Sequence, residues 1–167
     1  MSMQPQSIPS VPPDTEAVAR AAFPKGNIYV LLRDNLGSIY SDVDFAALFS
    51  KRGQPAESPW RLALISVMQF VENLSDRQAA EAVRSRIDWK YALSLPLTDA
   101  GSHFSILTEF RQCLIEGNAE QLLLDRLLER LQDLELLKSQ RQRTDRRRSV
   151  SGFAQPIFLR LFVSSIA

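Results

Sequence analysis

From Trp60 to Val71 the chain reads WRLALISVMQFV, and only Arg61, Ser66 and Gln69 interrupt the apolar residues. Apolar side chains around the whole circumference predict a central, buried helix. Asn73-Leu74-Ser75 breaks the run. Ser75 and Gln78 then read as a capping box, S-x-x-Q, in which each side chain bonds the other residue's backbone N–H. The helix that follows carries Ala79, Ala82, Val83 and Ile87 on an inner face, with Arg77, Arg84 and Lys90 expected on outer faces. A further helix is predicted from His103 to Ile115, where Phe104, Leu107, Phe110, Leu114 and Ile115 recur at helical spacing; Gly117-Asn118 stops it. The last predicted helix, Ala119 to Leu137, has leucines at 122, 123, 124, 127, 128, 131, 134, 136 and 137 and charged residues on its other face.

The N-terminal part is less regular. Residues 1–13 hold four prolines and no periodicity, which predicts disorder. A short helix is expected from Asp14 to Ala22, capped by Asp14 and ended by Pro24 and Gly26. Ile28 to Leu32 reads as a short strand or a helical turn; periodicity does not separate the two. Ser41 or Asp42 is placed to cap a helix running through Phe49, and Gly53, Pro55 and Pro59 mark a loop. The pattern predicts an all-α domain of about five or six helices over residues 14–137. It follows a disordered N-terminus, 1–13, and precedes a basic tail, 138–167.

Charge changes this picture more than composition does. The 45% apolar content supports a real core, and the net charge of +1 implies no partner by itself. Residues 1–137, however, carry a net of −5, and the short segment KSQRQRTDRRR at 138–148 carries +5. Within the body, residues 51–90 carry +2 and residues 112–137 carry −4, so a polyanion is expected on the part built from 51–90. Cys113 is the single cysteine and reads as a small buried hydrophobe in a reducing, cytoplasmic setting. The start lacks a signal-peptide pattern, and no apolar run is long enough for a membrane span.

One His and one Cys do not make a zinc site, and no clustered glycines cradle a nucleotide. Most carboxylates sit beside arginines at helical spacing, as on a solvated helix face. Nucleic-acid binding is the more informative option. The pair Trp60–Asn73 and Ser75–Trp89 has the layout of a helix-turn-helix, and its second helix would present Arg77, Arg84 and Arg86 with Gln78 and Ser85 nearby. Ser105, Thr108 and Arg111 form a second candidate face. The plainer reading is a helical hairpin with a charged exterior.

Several ordered pieces point to a family. They are Arg52-Gly-Gln-Pro55, the apolar helix ending in Gln69-Phe70, NLSDRQ at 73–78, IDWKYAL at 87–93 and FSILTEFR at 104–111. Together, over about Ile39 to Asp145, they make the chain resemble the N-terminal domain of InsH-like bacterial insertion-sequence transposases. The resemblance implies a helical region that binds the terminal inverted repeats of the element and helps assemble the transposase. In that family it precedes a ribonuclease-H-like domain whose DDE triad holds divalent metal such as Mg. Ser102-His103 departs from the family's usual aromatic and acid at this place.

Gln142-Arg-Thr-Asp145 resembles the lead-in to the first triad Asp, but no Asp or Glu follows Asp145. The expectation is a truncated or frameshifted transposase with no catalytic site or cofactor of its own, in which Asp145 is isolated. The expected DNA contacts are Arg61, Arg77, Arg84, Arg86, Lys90 and Arg111 on the body and Arg141 and Arg143 in the tail. The alternative is a helical protein–protein module that forms a homo-oligomer or pairs with, and inhibits, full-length transposase.

Overall fold

The structure is a computed structural model and describes residues 5–49, 57–119 and 121–133. These residues form seven α-helices: α1 (Pro13–Ala22), α2 (Ile28–Leu36), α3 (Pro59–Glu72), α4 (Asp76–Ser85), α5 (Ile87–Ala92), α6 (Ser105–Glu116) and α7 (Leu122–Asp133). A 3-10 helix, Asp42–Leu48, lies between α2 and α3. The class is all-α, as the pattern predicts. The helix count is higher for two reasons: Ile28 opens a full helix, and the expected helix Ser75–Trp89 is two helices.

α3 is the central helix. Trp60, Leu62, Ala63, Leu64, Ile65 and Met68 are all buried, and they share one core with Phe45, Trp89, Leu93, Leu107, Phe110 and Leu114. Pro59, expected in a loop, instead opens α3, where its missing N–H costs no hydrogen bond. Ser58 gives α3 no side-chain cap. The buried carboxylate of Asp42 does this from the 3-10 helix, accepting from the Trp60 N–H at 3.2 Å through Oδ1 and from the Gln6 N–H through Oδ2. An acceptor at a helix N-terminus also meets the positive end of the helix dipole. The cap of α1 is likewise corrected: Pro12 is its N-cap and Asp14 lies in the first turn.

The break between α3 and α4 follows the sequence closely. Asn73 adopts left-handed backbone at φ 54°, which Asn tolerates better than most residues. The Leu74 N–H then reaches back to the Gln69 carbonyl, closing the end of α3. Ser75 and Gln78 form the predicted capping box. Ser41 with Asp44 forms a second one at the 3-10 helix.

α4 does not run on to Trp89. Arg86 leaves helical geometry, ending α4 and starting α5. A straight continuation would put Ala92 eleven residues on from Glu81, on nearly the same face. The break resets the phase, so that Trp89, Tyr91 and Ala92 are all buried. It also turns Lys90 inward, to 3% exposure, correcting its expected place on an outer face.

α2 begins at the Asn27 cap, which accepts from Tyr29 N and Val30 N. Arg20, Asp34 and Tyr91 tie α1, α2 and α5 together: Arg20 pairs with Asp34, and both Arg20 and the Tyr91 hydroxyl donate to it. α7 packs on the core through Leu122, Leu123 and Leu127, and the Tyr40 hydroxyl donates to the Leu123 carbonyl at 2.7 Å. Residues 5–12 form no helix or strand, although Ile8 packs against the core. The expected continuation of the leucine-rich helix to Leu137 lies outside the described residues, as does the expected tail, 138–167.

Candidate nucleic-acid interface

The six basic residues expected to contact DNA from the body fall into two groups. Arg61, Arg86, Lys90 and Arg111 are engaged by neighbouring groups of the fold. The Arg61 Nε donates to the Leu93 carbonyl at 3.1 Å, and its guanidinium lies 5.3 Å from the Trp60 ring centre. Arg86 is held on two sides. It makes a fork to Asp88 at 3.1 and 2.7 Å and a further bond to Glu72. Hydrogen bonding to Asp88, reinforced by Glu72 against the cost of burial, raises its pKa above the ordinary value. Its guanidinium also lies over Tyr29 and Trp89.

Lys90 donates from Nζ to the Asp99 carbonyl at 2.6 Å, and burial lowers its pKa. Arg111 reaches Asp76 at 2.6 Å. That bond, helped by donors from Gln69 and Thr108, outweighs partial burial and holds the Asp76 carboxyl down at about 2. Thr108, predicted on a nucleic-acid face with Arg111, therefore shares its carboxylate partner.

Arg77 and Arg84 form the second group, and both stand on the exposed side of α4. They are seven residues apart, two helical turns, so they share one edge. Arg77 lies over the Phe104 ring at 4.8 Å, a contact that steadies the guanidinium without a carboxylate. Phe104 in turn stacks on His103, with ring centres 4.2 Å apart. Arg84 donates from Nε to the Ala100 carbonyl at 3.0 Å and lies 3.3 Å from Glu81. The loop 99–104 thus runs beside this edge. Gly101 has φ +69°, and a Cβ there would meet the Arg84 backbone, so the loop passes close to α4.

Two features of this surface have little or no signal in the sequence. The helical spacing marks Phe104 only as a core position, yet it seats Arg77. Glu81 stands between Arg77 and Arg84 along α4. Its only sequence signal is the i,i+3 spacing to Arg84. Arg141, Arg143 and Asp145 lie outside the described residues.

Among the described residues no group of three or more His, Cys, Asp and Glu gathers to hold a metal ion. Those residues do not fit the divalent metal that the resemblance implies. Cys113 is half-buried and packs against the core. No helix among the described residues is long and apolar enough to cross a membrane.

The fold and this surface define an all-α unit with a helix-turn-helix-like pair, α3 and α4, whose second helix carries the outward arginines. The family described as Transposase domain (DUF772) matches residues 17–113, more than half of the chain and the whole span from within α1 to within α6. The chain belongs to that transposase-domain family. No curated protein and no solved structure matches it.

Proposed function

We propose that this chain is the DNA-binding N-terminal part of an insertion-sequence transposase of the DDE type, with strand chemistry and its divalent metal supplied by a ribonuclease-H-like domain outside the described helices. It acts in the cytoplasm on the terminal inverted repeats of the element. The family match supports the transposition role, and the outward pair Arg77 and Arg84 on α4 is the observation that carries the DNA-binding part. A helix of this kind fits the major groove, while its arginines reach phosphates or base edges.

The test is a gel-shift titration of the whole chain on the terminal repeat and on random duplex at several salt concentrations. Tighter binding to the repeat and a steep fall of affinity with salt are expected. Equal, salt-insensitive affinity for both duplexes removes the proposal.

A second reading rests on a separate observation. Phe70, Ile115 and Leu124 are each at least half exposed, which suits a helical protein–protein module. Light scattering on the purified chain, alone and with full-length transposase, tests it; a monomer that does not bind the transposase removes it.

A further inference from the structure

The exposed face of α4 is not uniformly basic. Arg77 and Arg84 occupy one edge and Ser85 and Gln78 the other, and Glu81 lies between the two edges with 62% of its side chain exposed. Arg77 and Arg84, although Arg84 is itself bonded to Glu81 and to the Ala100 carbonyl, are the exposed basic residues of this face. A carboxylate at its middle is a liability against phosphate, because like charges repel at close range. It becomes an asset only where it meets donors. Duplex DNA offers donors on its base edges, and a helix reaches those in the major groove.

Two amino groups are exposed there, N4 of cytosine and N6 of adenine. In adenine the N7 acceptor lies beside N6 and opposes a carboxylate. Cytosine itself presents N4 in this groove with no second acceptor on the same base; its neighbouring edge is the C5–H, and the nearest acceptor, O6, belongs to the paired guanine. Glu81 accepts from Arg84 at 3.3 Å, and Arg84 is further fixed by the Ala100 carbonyl. Such anchoring lowers the ordering cost of contact.

We infer that Glu81 is a specificity-determining residue that accepts from cytosine N4 in the major groove, with Arg84 positioning it and Arg77 holding the adjacent backbone or a guanine edge. This rests on the DNA-binding reading of α4. The carboxylate contributes by selection in two ways: it favours one base and it weakens binding wherever only phosphate faces it.

The experiment selects duplexes from a random pool with the whole chain and with Glu81→Gln, and sequences what is bound. Because Glu81 is exposed, the variant keeps its fold, and matching thermal denaturation curves verify that. The expected result is a cytosine position enriched by the unaltered chain and lost by Glu81→Gln, with preference there falling about ten-fold. Affinity of the variant for random duplex rises at the same time. If both chains enrich the same bases, or the unaltered chain binds duplex with no base preference, Glu81 has no such role while DNA binding by the domain stands. If the unaltered chain retains no duplex at all, the DNA-binding reading itself falls, and the inference with it.

Discussion

Arg111 on α6 donates to Oδ2 of Asp76 at the start of α4, 2.6 Å away, and Gln69 at the end of α3 donates to the other oxygen at 2.7 Å. One carboxylate thus joins three helices at the corner where α3 turns into α4. It also sits in the first turn of α4, where negative charge is favoured by the helix dipole.

Replacing Asp76 with Ala is therefore expected to destabilise the fold by about 2 kcal/mol at neutral pH, the scale of charge-assisted hydrogen bonds. The pH dependence has a definite sign. The folded pKa, about 2, lies below the ordinary 3.8, so the contribution is present above 3.8 and is lost as pH falls through about 2. Urea unfolding of both proteins across that range checks this: the gap between them should narrow in acid. A gap that stays constant would show that Asp76 acts by shape rather than charge.

Glu72, at the end of α3, accepts from the Tyr29 hydroxyl, from Arg86 and from Trp89 Nε1. Burial works against its ionisation, but the Tyr29 and Arg86 bonds outweigh that and hold its pKa below the ordinary value. Glu72→Ala leaves Tyr29 and Trp89 without an acceptor and strips Arg86 of one of its two carboxylates, and should cost about 2–3 kcal/mol. Glu72→Gln keeps an acceptor and should cost less. Arg86→Lys should also destabilise, since an ammonium does not reproduce the fork to Asp88. Thermal unfolding of the three variants gives the ranking.

Lys90→Met should leave both stability and DNA affinity nearly unchanged. The ammonium is buried against one carbonyl, so an apolar side chain of similar length loses one hydrogen bond but sheds a desolvation cost. Because the folded pKa lies below the unfolded value, the lysine penalises folding at neutral pH and the penalty fades as pH rises. The Met variant should lack that alkaline rise in stability. A large loss of DNA affinity in this variant would mean that Lys90 reaches the ligand after all.

Arg77→Ala and Arg84→Ala should each weaken DNA binding and reduce the salt slope by about one. Arg77→Ala should change stability by no more than about 0.5 kcal/mol, whereas Arg84→Ala, which loses the bond to the Ala100 carbonyl, should cost up to about 1 kcal/mol. Phe104→Leu should weaken binding through Arg77, by removing the ring that seats it. Arg61→Ala is the contrast: it removes a bond to the Leu93 carbonyl and should lower stability while leaving the salt slope alone. Affinity measured at several salt concentrations, beside urea unfolding, separates the two classes.

Much of the fold was legible because its signals are local. The all-round apolar run of α3, the Asn73 stop and the Ser75–Gln78 box each act within a turn or two of chain, so neighbouring residues suffice to read them. The break at Arg86 was not legible. It carries no Gly or Pro, and it exists because Trp89, Tyr91 and Ala92 must all reach the core. Lys90 turns inward for the same reason, since an uninterrupted helix from Ser75 would set it on an outer face. Asp42 as the cap of α3 was also hidden, because the donor and acceptor lie 18 residues apart.

For the candidate interface the division is similar. Residue types and their order alone established a helical chain with a helix-turn-helix-like pair, an uneven charge and a likeness to transposases. Which arginines face outward was decided by tertiary structure. Asp76 and Arg111 are 35 residues apart, and nothing in the spacing of either says that they meet. How far a charge on a helix remains available to a ligand depends on how deeply packed neighbours bury and bind it, and that depends on distances created when helices far apart in the chain come together.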